Sequence, residues 1–251
     1  MGRSFRQRSW LPLLSREELE RYKRNIMVED LGWIGQKRLK ESKVFVVGAG
    51  GLGSPVLLYL VAAGVGEVIV QDGDLVDLSN LQRQIIYDEN SLGKKKTEAV
   101  YQKLKALNSE VKLVVFDSFF SEDIDLTCDA VAVCTDSLES RIRINKWAVK
   151  RGIPGFYGGI AAWYGQVFTV IPGQGPCLNC IMGKMKEPPV KGVLGPTAGV
   201  AGCLQAVEII KHLTGQGASL VGKVLHFDLL AMDFQLMPVG RNEECEVCGN
   251  V

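Results

Sequence analysis

A glycine-rich turn is the first feature of the sequence that could do chemistry. Gly48, Gly50, Gly51 and Gly53 lie in the run GAGGLG, and Asp72 follows nineteen residues after the last of them. In the dinucleotide-binding pattern such glycines let the backbone approach a diphosphate, helix N–H groups bind it, and the acidic residue accepts ribose hydroxyls. The pattern predicts a nucleotide site and leaves NAD, FAD and ATP open.

The segment after Asp72 carries carboxylates and cations close together. Asp74, Asn80, Arg83 and Lys96 follow the strand at which the nucleotide must lie. Hydride transfer needs no such cluster. A nucleotide whose phosphates react does need cations, because charge develops on the phosphorus and on the departing pyrophosphate. The alternative is a polar loop with ordinary surface charges.

Four of the seven cysteines form two close pairs. Cys177 and Cys180 are the first pair, and Cys245 and Cys248 are the second. Four thiolates in two such pairs can close a tetrahedral structural zinc site without histidine. A redox dithiol is one alternative. A cytidine deaminase is another, since Pro176 and the first pair match half of its signature, but the H-x-E half is missing.

Composition limits the function classes. The 251 residues contain 29 Lys+Arg, 28 Asp+Glu and only two histidines, so neither a nucleic-acid partner nor a membrane surface is expected from bulk charge. Both apolar stretches long enough to span a bilayer are interrupted by glycine and proline, and no secretory signal precedes them. We expect a cytoplasmic protein with a disordered tail over residues 1–14 and a single domain over residues 15–251.

Alternating strands and helices must position these groups. Apolar runs predict strands over 44–47, 67–71, 111–116, 130–134, 167–171, 223–228 and 234–239. Amphipathic or buried helical patterns cover 15–26, 36–42, 54–63, 95–107, 138–151 and 197–213. The strand–helix alternation predicts an α/β fold with a Rossmann-like doubly wound sheet in three α/β/α layers, and the later strands extend that sheet partly antiparallel.

Several motifs in one order resemble those of a known family. They are RYKRNI (21–26), GAGGLGS (48–54), DLSNLQRQ (77–84), GKKK (93–96), CTD (134–136) and the two CxxC pairs. The series is similar to the ThiF/MoeB/HesA family, the bacterial and archaeal relatives of ubiquitin-activating enzymes. The resemblance runs from about residue 17 to the C-terminus and implies ATP, Mg²⁺ and Zn²⁺ as cofactors.

The resemblance also implies roles for single residues. It places Asp72 on the ATP ribose, Gly51 against the phosphates and Asp136 near Mg²⁺. The residues that it places on the phosphates of the reacting nucleotide are Asn80, Arg83 and Lys96. Arg24 resembles the family arginine that reaches into the partner subunit's ATP site, which implies a homodimer with composite sites.

The implied reaction is adenylation of a ubiquitin-like sulfur-carrier protein, similar to MoaD or ThiS, in molybdopterin or thiamine-type biosynthesis. The carrier's C-terminal Gly-Gly carboxylate attacks the α-phosphorus of ATP and gives an acyl adenylate and pyrophosphate. A carboxylate is already ionised at neutral pH, so this nucleophile needs no general base. The alternatives are adenylation of a small-molecule or tRNA-attached carboxylate, an NAD-linked oxidoreductase, and a non-catalytic binding module.

One departure from the family concerns cysteine. Some relatives carry a cysteine in the loop before the long helix, and residues 182–202 contain none, so covalent transfer is not expected in that loop. The unpaired Cys128, Cys134 and Cys203 are expected to pack as small apolar side chains rather than to act as nucleophiles.

Overall fold

The computed structural model describes residues 14–182 and 192–249. Within these ranges eight strands form one sheet in the order β3-β2-β1-β4-β5-β6-β7-β8. The strands are β1 (Lys43–Val47), β2 (Glu67–Gln71), β3 (Lys112–Phe116), β4 (Ala130–Val133), β5 (Gly155–Ala161), β6 (Tyr164–Val170), β7 (Lys223–Asp228) and β8 (Asp233–Pro238). Pairing is parallel from β3 through β5 and antiparallel from β5 to β8.

Helices cover both faces of this sheet. They are α1 (Arg16–Arg21), α2 (Lys23–Ile26), α3 (Gly32–Glu41), α4 (Gly53–Ala63), α5 (Lys96–Leu107), α6 (Leu138–Lys150), α7 (Leu178–Met182) and α8 (Gly195–Thr214). Buried side chains of α3, α4, α5 and α8 form one core, and those of α6 and α7 belong to a second. The predicted three-layer, doubly wound sheet with a mixed C-terminal part is confirmed.

β1 shows how the sequence divides between the two cores. Val44 and Val46 pack into the core of α4 and α8, whereas Phe45 and Val47 pack into the core of α6. Successive side chains of a strand point to opposite faces, so a central strand covered on both faces needs an apolar residue at every position. This is why the β-branched and aromatic run was readable as a buried parallel strand.

Strand β5 was missed in the sequence because it contains Gly155, Gly158 and Gly159. Glycine is depleted in strands, so the residues of this segment taken by themselves do not predict a strand. The structure supplies the reason for one of them. A Cβ atom on Gly158 would lie 2.7 Å from Oε1 of Gln205 in α8, so the glycine allows α8 to pack closely on the strand.

The predicted helix over 15–26 is two helices. Ser15 caps α1 and forms the predicted capping box with Glu18, but the chain turns at Tyr22 before α2 begins. The Tyr22 hydroxyl accepts a hydrogen bond from Asn108 Nδ2 at 2.8 Å, and its ring packs against Gly64. The helix therefore breaks at a residue whose side chain makes tertiary contacts, and the spacing of apolar residues along the sequence does not reveal this break. The other predicted helix and strand ends lie within four residues of the observed ones, and β2 and β7 coincide with the prediction.

Two predictions concern the parts of the chain outside these elements. The expected tail over residues 1–14 overlaps the described residues only at Leu14, which is fully buried; the packed region therefore includes Leu14 and does not start at residue 15. Residues 1–13, and residues 183–191 of the cysteine-free loop, lie outside the described part. Within the described ranges, no helix is both long and apolar enough to cross a membrane.

Candidate functional site

The chain reverses its direction of strand addition between β1 and β4. From β1 the sheet grows through β2 to β3 on one side, and β4 then pairs with the other side of β1. Ligands of open α/β sheets bind beyond the carboxyl ends of strands at such a reversal. The glycine turn follows β1 there, and the CTD motif follows β4, so the fold brings these two motifs to one crevice.

The glycine turn is folded tightly against the end of β4. Gly48 has φ +95°, and a Cβ atom on it would lie 2.7 Å from the carbonyl oxygen of Cys134. A Cβ atom on Gly53, the first residue of α4, would lie 2.1 Å from the carbonyl oxygen of Gly48. Only glycine tolerates both the positive φ and these approaches. The turn thereby leads directly into the N-terminus of α4, and the N-terminus of a helix favours an anion.

Asp72, Asp74 and Lys96 form one charged group beside this turn. Oδ2 of Asp72 accepts the N–H of Ala49 at 2.8 Å, and Oδ1 accepts the N–H of Asp74 at 2.9 Å. Lys96 Nζ lies 2.8 Å from Asp74 Oδ2 and 3.9 Å from Asp72 Oδ1. Lys96 is only 5% exposed. A buried ammonium group with two carboxylate partners is thus held next to the predicted nucleotide turn.

Tyr87 is a further residue of this arrangement that sequence reasoning missed. Its hydroxyl donates to the carbonyl oxygen of Ala49 at 2.9 Å, so Ala49 is held at its N–H by Asp72 and at its carbonyl oxygen by Tyr87. Burial, followed by the nearby Asp72 charge, raises the pKa of Tyr87. The phenol therefore stays protonated and remains a donor.

Asn80 ends a short helical turn (Leu78–Asn80) after β2, and Arg83 lies in the turn that follows it. The side chain of Asn80 accepts the N–H of Asp77 at 3.3 Å and closes a capping box at residues 77–80. Arg83 donates to the carbonyl oxygen of Ser79 at 2.8 Å. A Cβ atom on Gly51 would lie 3.5 Å from Arg83 Cγ, so the arginine stem lies directly against the glycine turn.

Asp136 and Arg24 are exposed, as is Asp74 of the charged group. Asp136 follows the end of β4, where the N–H of Cys134 still donates to Val47 at 2.8 Å. Arg24 lies on α2, which packs on α3, and none of the contacts described above involves it. We call the set gathered at the strand ends the switch-point site. It comprises residues 48–53, Asp72, Asp74, Asn80, Arg83, Lys96 and Asp136.

Three buried polar atoms without a hydrogen-bond partner adjoin this site. Among the described residues they are Gln71 Oε1, Gln84 Oε1 and Thr135 Oγ1. Each belongs to a residue next in sequence to a predicted site residue. Native proteins satisfy nearly all buried polar atoms, so each of these three atoms is available to a partner that enters the crevice, whether a water molecule or a ligand. Gln84 and Thr135 stand within the quoted motifs, and Gln71 directly precedes Asp72.

The four paired cysteines converge on the other face of the sheet. Their sulfur atoms all lie within 4.8 Å of one another. Cys177 and Cys245 are 3.6 Å apart, and Cys180 and Cys248 are 3.4 Å apart, sulfur to sulfur. A zinc ion about 2.3 Å from four tetrahedral sulfurs requires them about 3.8 Å apart. This four-cysteine cluster therefore fits a tetrahedral metal ion of thiolate preference.

The other three cysteines are poor nucleophiles. Burial raises the pKa of Cys134 and the pKa of Cys128 to about 12, and it also raises the pKa of Cys203. The thiolate is the reactive form of cysteine. At neutral pH these side chains are therefore neutral thiols, as expected for packed small residues.

The chain is similar to known proteins over nearly its whole length. It is 37% identical over 246 residues to the SAMP-activating enzyme E1 of Haloferax volcanii, covering 94% of this chain and 91% of that one. It is 38% identical over 251 residues to a sulfur carrier protein adenylyltransferase of Thermus thermophilus, covering 94% and 93%. A crystal structure of E. coli MccB with ATP superposes with a TM-score of 0.82 at 25% identity, covering 92% of this chain and 75% of that one. The ThiF family pattern matches residues 22–247, and the chain therefore belongs to the ThiF family.

Proposed function

We propose that this protein is an ATP-dependent adenylyltransferase that activates the C-terminal glycine carboxylate of a ubiquitin-like sulfur-carrier protein. One observation carries the proposal: a buried lysine, Lys96, is paired with Asp72 and Asp74 beside the glycine turn. A cation built into the phosphate end of a nucleotide site serves phosphoryl chemistry and has no role in hydride transfer. The names of the two relatives support the same activity.

The reaction requires little proton transfer. The carrier carboxylate attacks the α-phosphorus of ATP, a new C–O–P anhydride forms, and the bond to the β-phosphate oxygen breaks as pyrophosphate leaves. Arg83 and Lys96 would oppose the charge that develops on the phosphates, with Asn80 as a hydrogen-bond donor. The ribose would bind at Asp72. Mg²⁺ would be held by Asp136 and would neutralise phosphate charge.

The test is ATP–pyrophosphate exchange with purified protein, Mg²⁺ and candidate carriers that end in Gly-Gly. Arg83→Ala should abolish the carrier-dependent exchange. Arg143→Ala is the matched control, because Arg143 pairs with Glu122 at the surface and should leave exchange unchanged. Mass spectrometry of the carrier should show the added adenylate.

Other outcomes would identify other functions. Exchange stimulated by a small carboxylate, or by a tRNA-attached one, and not by any carrier would favour that substrate class. Tight NAD binding without any ATP protection against thermal unfolding would favour an oxidoreductase. No exchange with any Gly-Gly-ending carrier would contradict the proposal.

We propose that the carrier protein and this enzyme belong to molybdopterin or thiamine-type biosynthesis.

We further propose that the active form is a homodimer in which Arg24 of one protomer completes the partner's site. Arg24 is exposed on α2 and lies outside the network around Lys96, as a residue acting across an interface would. The test mixes two inactive variants, Arg24→Ala and Arg83→Ala. If Arg24 acts in trans, mixed dimers contain one intact site and exchange recovers to roughly a quarter of wild type. No recovery on mixing would mean that Arg24 acts within its own chain.

The four-cysteine cluster is proposed to bind one structural zinc ion. All seven cysteines are free thiols, so two pairs are available as thiolates. The ion would join the segment before α8 to the end of the chain and would stabilise the fold without taking part in the reaction. Atomic absorption should give one zinc per chain, and an absence of zinc after purification in zinc-containing medium would contradict this assignment.

A further inference from the structure

The first cysteine pair is carried by a helix of a single turn. α7 (Leu178–Met182) has five residues, and so short a helix is not stable through its own hydrogen bonds. Cys177 directly precedes it, and Cys180 lies within it. The positions of both sulfur atoms therefore depend on whatever holds α7 to the rest of the protein.

Asn145 of α6 makes two hydrogen bonds to α7. Its Oδ1 accepts the backbone N–H of Leu178, the first residue of α7, at 3.2 Å. Its Nδ2 donates to Oδ1 of Asn179 at 3.0 Å. The first N–H groups of a helix have no partner inside the helix, and a side-chain oxygen usually satisfies them from the residue before it. Here the oxygen comes from a neighbouring helix, so α6 caps α7.

Asn145 is itself held in place. It is fully buried, and its Oδ1 also accepts the hydroxyl of Tyr157 at 3.1 Å. The Tyr157 ring stacks on Phe168 with centroids 4.9 Å apart. Strands β5 and β6 thus fix Tyr157, Tyr157 contributes to fixing Asn145, and Asn145 fixes the turn that carries Cys177 and Cys180.

We propose that Asn145 is a positioning residue for the metal site, which sets the geometry of the first cysteine pair before the ion binds. The inference rests on the proposed zinc site and extends it, since part of the zinc affinity is assigned to a side chain that does not bind the ion. Mutation of groups that orient metal ligands commonly lowers metal affinity by about 10- to 100-fold. We expect a loss in that range when both bonds to α7 are removed.

The experiment measures zinc transfer from the zinc-loaded full-length protein to a chelating dye. Asn145→Leu keeps the size of the side chain and removes its polar groups, and the zinc dissociation constant should rise by about 10- to 100-fold. Tyr157→Phe is the graded comparison. It removes one bond that holds Asn145 but leaves both bonds to α7, so its zinc dissociation constant should rise clearly less than that of Asn145→Leu.

The other possible results of this experiment would overturn the inference or the zinc assignment. An Asn145→Leu protein that folds and holds zinc as tightly as wild type would overturn the inference. If Asn145→Leu does not fold, Asn179→Ala replaces it, because Asn179 is only partly buried and loses a single bond; zinc binding equal to wild type would then overturn the inference. A loss in Tyr157→Phe equal to that in Asn145→Leu would show that the two bonds from Asn145 to α7 do not set the zinc affinity, and would also overturn it. Wild-type protein without zinc would instead contradict the zinc assignment itself, a result distinct from unchanged binding in the variants.

Discussion

The switch-point site and the four-cysteine cluster lie on one sheet and are built in opposite ways. In the switch-point site Asp136 is exposed, Arg83 is partly exposed, and unsatisfied polar atoms of Gln84 and Thr135 adjoin the charged side chains. In the cluster, Cys177 and Cys248 are almost fully buried, and the sulfur atoms meet one another.

The proposed functions account for this difference by how long each ligand would stay bound. A substrate that must enter and leave needs an open crevice whose polar groups are completed only while it is bound. A structural metal ion stays bound, so its site closes around it. Mutations should therefore affect mainly stability in the cluster and mainly activity in the switch-point site.

The largest effect is expected when the cluster loses a ligand. Cys245→Ser should release zinc and lower the melting temperature by roughly 10–20 °C, because a loss of several kcal/mol shifts a domain of this size by about 2–4 °C per kcal/mol. Cys203→Ser, a partly buried cysteine of α8 outside the cluster, should cause a much smaller shift. Thermal unfolding and zinc analysis measure both. A Cys245→Ser protein that keeps its zinc would remove the contrast between the two regions.

The next effect is a loss of activity at the switch-point site. Lys96→Met should lower carrier-dependent pyrophosphate exchange by about 10²- to 10³-fold, the usual cost of removing one group that stabilises transition-state charge. Lys103→Met, an exposed residue of the same helix, should leave the exchange rate unchanged. Because Lys96 is buried beside two carboxylates, thermal unfolding must show that the variant is folded. Exchange at the wild-type rate in folded Lys96→Met would exclude a role in the reaction.

The smallest effect distinguishes two helical glycines. Gly53→Ala should destabilise the protein by about 1–3 kcal/mol, because the new methyl group would meet the Gly48 carbonyl and force the turn apart. Gly199→Ala in α8 has open space around its Cβ position and should stabilise by about 0.5–1 kcal/mol, since alanine is the better helix former. Urea unfolding gives both values. If both substitutions changed the free energy of unfolding in the same direction, the close approach of Gly53 to the Gly48 carbonyl would not control the stability of the glycine turn.

Much of the site was predictable because its signals are local. The glycines, Asp72 and Lys96 each stand at a strand end or helix start that a few neighbouring residues identify, and parallel strands bring such ends to one edge. The zinc-type spacing of the cysteines predicted that the two pairs would meet, although 64 residues separate Cys180 from Cys245.

Other features depended on partners distant in sequence. Strand β5 has a glycine at position 158 because Gln205 of α8 needs the space above it, and the helix break at Tyr22 accompanies a hydrogen bond from Asn108. Neither partner is recognisable from the residues around the feature itself. The two hydrogen bonds from Asn145 to α7 also join residues that are distant in sequence.

The sequence by itself determined the family, the doubly wound sheet and the residue types at both sites, because periodicity, glycine turns and paired cysteines are properties of short segments. Only the tertiary structure decided that Ala49 is held between Asp72 and Tyr87, that Lys96 is buried with two carboxylates, and that α6 orients the first cysteine pair. These arrangements join residues that are far apart along the chain, and the energy of each contact exists only once the fold has brought its partners together.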